Sequence, residues 1–74
     1  MAKSSGNTVY RVTEVIGTSP NSWEDAAKNA VKTAGGTLRD LRIAEVTKLD
    51  VRIDEDGKIA QFRARLALSF KYDA

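Results

Sequence analysis

The sequence predicts one small α+β domain with its elements in the order β-α-β-β, and three observations carry that reading. Apolar residues recur at helical spacing from Trp23 onward. In the run from Lys58 to Tyr72 every second residue from Ala60 onward is apolar without a break. An Asp-Gly pair, Asp56-Gly57, separates that run from a second β-branched stretch, as in a hairpin.

Residues 1 to 8 are polar, small and aperiodic, and read as a disordered tail before a single domain over 9 to 74. From Val9 to Ile16 the residues Val9, Tyr10, Val12, Val15 and Ile16 predict the first strand. Tyr10, Val12 and Ile16 share one face, whereas Val9 and Val15 lie on the other, so the strand is expected to be covered on both sides. Gly17-Thr18-Ser19-Pro20-Asn21-Ser22 is expected to end it. Ser22 followed three residues later by Asp25 resembles a capping box, and Glu24 is well placed against the helix dipole.

Trp23, Ala26, Ala27, Ala30, Val31, Ala34, Leu38 and Leu41 then form one helical face. Its alanines predict a close approach to the sheet. Gly35 and Gly36 each weaken a helix by about 1 kcal/mol relative to alanine, so the helix either stops there or runs a further turn to Asp40. Trp23, the single tryptophan, reads as an anchor closing the end of this face; the alternative is a platform for stacking a ligand.

Arg42 to Asp54 is the second strand. Ala44 and Val46 have one parity and Leu49, Val51 and Ile53 the other, so a bulge is expected near Thr47-Lys48, or apolar contact on both faces. Asp54-Glu55-Asp56-Gly57 makes the turn. In the third strand, Ala60, Phe62, Ala64, Leu66, Leu68, Phe70 and Tyr72 form one face. Fifteen residues at about 3.4 Å each reach roughly 50 Å, more than one short helix covers. Phe70 and Tyr72 are therefore expected to need other copies of the chain.

Composition agrees with that need. The chain has 74 residues, 42% hydrophobic and 30% charged, which is globular rather than disordered. A domain this short is marginal without disulfides, a metal or partner subunits. It has no Cys and no His, which removes disulfides and any ordinary zinc or haem site. The same absence leaves no ordinary base or nucleophile for catalysis, so an enzyme is not expected. The net charge of +2 with mixed signs gives no basic stripe for nucleic acid. No apolar run spans a membrane and the N-terminus lacks a signal-like apolar region, so a cytoplasmic protein is the expectation.

Val9-Tyr10-Arg11-Val12, Gly17-Thr18-Ser19-Pro20, the alanine-rich helix with Thr37-Leu38-Arg39, Glu45-Val46 and Ser69-Phe70-Lys71 resemble the dodecin family over residues 9 to 73. One residue is inserted in the Asp54 to Gly57 turn. The resemblance implies a three-stranded antiparallel sheet wrapped around one helix, assembled with itself as a hollow homo-dodecamer. It also implies flavin (FMN or riboflavin) storage, with paired isoalloxazines stacked between tryptophans. The implied small-molecule pocket falls on Ile43, Ala44, Glu45, Asp50, Arg63 and Arg65.

At these positions the sequence departs from flavin-binding dodecins. The stacking tryptophan falls at Ile43, which offers no π-face and forfeits about 0.5–1.5 kcal/mol of stacking. The glutamine that pairs with the flavin ring falls at Arg63, which donates but cannot accept. An arginine seven positions after the tryptophan falls at Asp50. Flavin binding that is weak or lost follows.

A flavin-free branch of the family is associated with calcium, and Asn21-Ser22-Trp23 with Ile43 resembles that branch. The cluster Asp54, Glu55 and Asp56 is the candidate Ca²⁺ site, although it also reads as a solvated turn. Arg63 and Arg65 read either as an anion site or as cations paired with Glu45, Asp50 or Asp54. Three functions stay open: a binding shell with a degenerate flavin pocket, a structural or calcium-binding shell, and a flavin store with a rearranged pocket.

Overall fold

The computed structural model describes residues 8–37 and 41–71. It contains β1 (Tyr10–Ser19), α1 (Trp23–Thr37), β2 (Leu41–Ile53) and β3 (Ile59–Lys71). The strands form one antiparallel sheet in the order β1-β3-β2, so the cleanly alternating third strand is central. The alternation explains that placement. The even-numbered residues of β3 face α1, and Ala64, Leu66, Leu68 and Phe70 are buried there.

The alanine stripe of α1 completes the core through Ala26, Ala30 and Ala34, with Val15, Ala27, Val31 and Leu41 packed around it. Small side chains let the helix lie close to β1. A Cβ at Gly17 would clash with the Ala26 carbonyl oxygen and lie 2.8 Å from the Ala30 Cβ. Glycine is therefore required here by contact.

Several boundaries differ from expectation. β1 does not stop at Ile16 but continues through Gly17 and Thr18 to Ser19, because β3 pairs with it as far as Phe62. The outer face of β1 is not covered in the single chain: Tyr10, Val12 and Ile16 are all exposed. Ser22 caps α1 by accepting the Asp25 N–H at 3.0 Å. The return half of a capping box is replaced, since the Asp25 carboxylate instead accepts the buried Ser19 hydroxyl at 2.7 Å.

The helix passes the glycine pair and extends to Thr37. Leu41 is not on its face but opens β2, opposite Phe70. Leu38, and the possible extra turn to Asp40, lie outside the described residues, as does Tyr72.

The expected irregularity at Thr47 is present. The register shifts between Val46 and Lys48, which moves Ala44, Val46, Leu49 and Val51 onto the helix side despite their mixed parity. Phe70 needs no second copy: it is 1% exposed, with the Arg11 guanidinium 5.5 Å from its ring centre. Uncovered apolar surface falls instead on the edge strands. α1 lies against β1 and β3, leaving Val46 and Leu49 of β2 half open to solvent.

Candidate functional site

The face of the sheet turned away from α1 carries most of the residues singled out above. Along the β2–β3 ladder Lys48 stands opposite Arg65, Asp50 opposite Arg63, and Arg52 opposite Gln61. The bulge creates this alignment, because it turns Lys48, Asp50 and Arg52 onto the face that Ile43 and Glu45 occupy before it. The bulged Thr47 secures it by donating its hydroxyl to the Arg65 carbonyl at 3.2 Å.

Asp50 and Arg63 form a two-pronged ion pair, Nε to Oδ1 at 2.7 Å and Nη2 to Oδ2 at 3.1 Å. The Arg63 hydrogen bond holds the Asp50 carboxyl below its ordinary value, aided by the charges of Arg63, Lys48 and Arg65 and opposed by partial desolvation. The same hydrogen bond raises Arg63. Arg52 donates to the Gln61 amide oxygen at 3.1 Å. Arg65 approaches Glu14 of β1 at 3.9 Å, beyond hydrogen-bond reach.

On the helix side, Trp23 reaches the same stretch of β2. Its indole N–H donates to the Asp50 carbonyl at 2.9 Å, and its ring meets Phe62 edge-on with centroids 5.2 Å apart. Trp23 thus bridges the start of α1 to both β2 and β3. The helix-anchor reading accounts for these contacts.

The resemblance-based pocket residues do not converge within one chain. Ile43 lies on the outer face opposite Ser69, and Glu45 opposite Ala67. Seven residues separate Ile43 from Asp50, about 20 Å along a strand. Ala44 is on the other face, where it lines an apolar groove of about 380 Å³ with Ala27, Val31, Val46 and Leu66. The structure brings together Asp50 and Arg63, with Arg65 one register pair away.

The acidic turn uses its own oxygen for folding. Asp54 Oδ1 accepts the backbone N–H of Asp56 at 2.9 Å and of Lys58 at 3.0 Å. Gly57 adopts a φ of 78°, completing the turn as its Asp-Gly sequence predicts. Calcium takes six to eight oxygens, and among the described residues no three acidic side chains are grouped so as to hold a metal ion. The turn of a single chain does not fit a calcium cage. The outer face does not fit the usual flavin set either, since Ile43 lacks a π-face and Arg63 is engaged by Asp50.

Two participants were not singled out from sequence. Lys48 becomes relevant only once the bulge places it opposite Arg65, and Glu14 only once β1 is known to flank β3. The phase change at Thr47-Lys48 was the available signal for the first.

The dodecin family model matches residues 9–73, nearly the whole described chain. The chain belongs to the dodecin family. It is 47% identical over 64 residues to the calcium dodecin of Mycobacterium tuberculosis, covering 86% of this chain and 89% of that protein. Among solved structures, a dodecin from Streptomyces coelicolor superposes with a TM-score of 0.84 at 43% identity, covering 92% of this chain and 96% of its own. A structure of the M. tuberculosis calcium dodecin, described as a calcium-chelating antigen with a novel calcium-binding site, gives a TM-score of 0.78. That match is 46% identical and covers 88% and 91% of the two chains. No helix among the described residues is long and apolar enough to cross a membrane.

Proposed function

We propose that this dodecin is a non-enzymatic cytoplasmic binding or storage shell, built as a homo-dodecamer, in which ordinary flavin stacking is weak or absent. The observation that carries this reading is the Asp50–Arg63 ion pair. By family resemblance, a flavin-pairing amide would stand at Arg63, where a guanidinium is held at both prongs by a carboxylate. Donors alone cannot match a ring edge that presents both N–H and O groups. The aliphatic Ile43 at the stacking position points the same way.

Titration of the purified protein with riboflavin, followed by flavin fluorescence, tests this directly. The expected outcome is little quenching at stoichiometric flavin. Strong quenching with saturation would overturn the reading in favour of a flavin store with a rearranged pocket.

Calcium binding is a second reading, favoured by the 47% identity to a protein named calcium dodecin. Because the Asp54–Asp56 turn of one chain does not supply a cage, this reading requires oxygens from more than one copy. Melting the protein with calcium and with a chelator checks it. A higher melting temperature with calcium supports the cation reading, and no difference removes it.

A further inference from the structure

We propose that the outer face of the β2–β3 ladder binds a phosphate-type anion between Lys48 and Arg65. The observation is a like-charge pair at a position where sheets ordinarily place opposite charges. Lys48 and Arg65 are direct partners in the antiparallel register, on the same face. Like charges directly opposite destabilise a sheet. The bulge enforces this pairing, held by the Thr47 hydroxyl on the Arg65 carbonyl.

The neighbouring carboxylates do not neutralise the pair. Asp50 is engaged at both oxygens by Arg63. Glu14 stays 3.9 Å from Arg65, and its side chain is 60% exposed. Arg52 adds another cation beyond the Asp50–Arg63 pair, donating to a neutral amide. Four cations, Lys48, Arg52, Arg63 and Arg65, share this face with three carboxylates, Asp50, Glu14 and Glu45, leaving one positive charge. Glu45 stands opposite Ala67 and flanks Arg65 from β2 as Glu14 does from β1.

The excess is positive, as an anion site requires, and the donors match a phosphate in kind. A guanidinium offers paired N–H groups to two phosphate oxygens, and an ammonium supplies a compact charge beside it. Among the described residues Glu14 is the carboxylate that approaches the Arg65 guanidinium, at 3.9 Å, and the Arg65 side chain is 42% exposed. The ligand class is a free phosphate or a phosphomonoester. Binding at this site requires neither flavin stacking nor calcium.

The intact protein in low-salt, phosphate-free buffer is titrated calorimetrically with inorganic phosphate, AMP and adenosine. Phosphate and AMP are expected to bind and adenosine not to. AMP binding well above phosphate assigns the site to phosphomonoesters, and equal binding assigns it to the free anion.

The variant Lys48→Gln should weaken phosphate binding by about tenfold or more. It should also melt above the wild type without phosphate, because repulsion is relieved, which shows that it folds. Lys58→Gln removes the same charge beside the hairpin turn and should bind as wild type. The proposal is overturned if neither phosphate nor AMP binds, if adenosine binds like AMP, or if Lys58→Gln loses as much affinity as Lys48→Gln.

Discussion

Two residues show how narrowly individual positions are constrained. Gly17 faces backbone as well as side chain: a methyl group there meets the Ala26 carbonyl and the Ala30 Cβ. Neither can rotate away, so α1 itself would have to move. Overpacking of this kind costs about 1–3 kcal/mol, and Gly17→Ala is expected at the upper end, read as a lowered denaturant midpoint. A tolerated substitution would mean that α1 shifts freely over β1. Asp50 is constrained by charge. Its folded pKa lies below the ordinary 3.8, chiefly through the Arg63 hydrogen bond. The stabilisation it provides is therefore complete above the ordinary value and lost as pH falls through the depressed one. Melting of wild type and Asp50→Asn should differ most near neutral pH and converge as pH falls through the depressed value. Both side chains of the pair are over a third exposed, so the gap should be modest and shrink with salt.

At the scale of elements, α1 is positioned by its ends as much as by its alanines. Ser19 ties its first turn to the end of β1, and Trp23 ties it to β2 and β3. Trp23→Phe keeps most of the ring contact but removes the indole donor, so a loss of about 1 kcal/mol is expected in chemical denaturation. Trp23→Ala should cost about 3 kcal/mol, because the ring against Phe62 is lost too. These ties also mark where sequence reading stopped. The alternation in β3, the alanine stripe and the Asp-Gly turn act locally, so they were legible. Strand order was not, and with it went the assignment of cover. Phe70 looked exposed until Leu41 and Arg11 were placed beside it by pairing partners far away in the chain. The end of β1 is hidden for the same reason, since Gly17 reads as a breaker but is a close-contact residue in a strand. Of the candidate site, the Asp50–Arg63 pairing was among the options charge alone allowed; the Lys48–Arg65 opposition depended on the bulge.

For the whole molecule the question is where the uncovered apolar surface goes. The fold measures 58 × 20 × 16 Å, and α1 is too short to cover such a length. Val12, Ile16 and Ile43 are exposed on the outer face, and Val46 and Leu49 on the helix side of β2. Both β1 and β2 are also sheet edges with unpaired backbone groups. An isolated chain would have little reason to keep long apolar edges in water, whereas copies packed edge to edge would cover them. The groove beside Val46, lined by Ala27, Val31 and Ala44, has the apolar character such a contact needs. Charges placed there should be nearly silent in a monomer and disruptive in an assembly. The double variant Val46→Glu and Leu49→Glu is thus expected to sediment as a much smaller species than the wild type, and to melt lower. If it sediments like the wild type, β2 does not lie between copies. If the wild type itself sediments at 8.1 kDa at micromolar concentration, the assembly reading fails altogether.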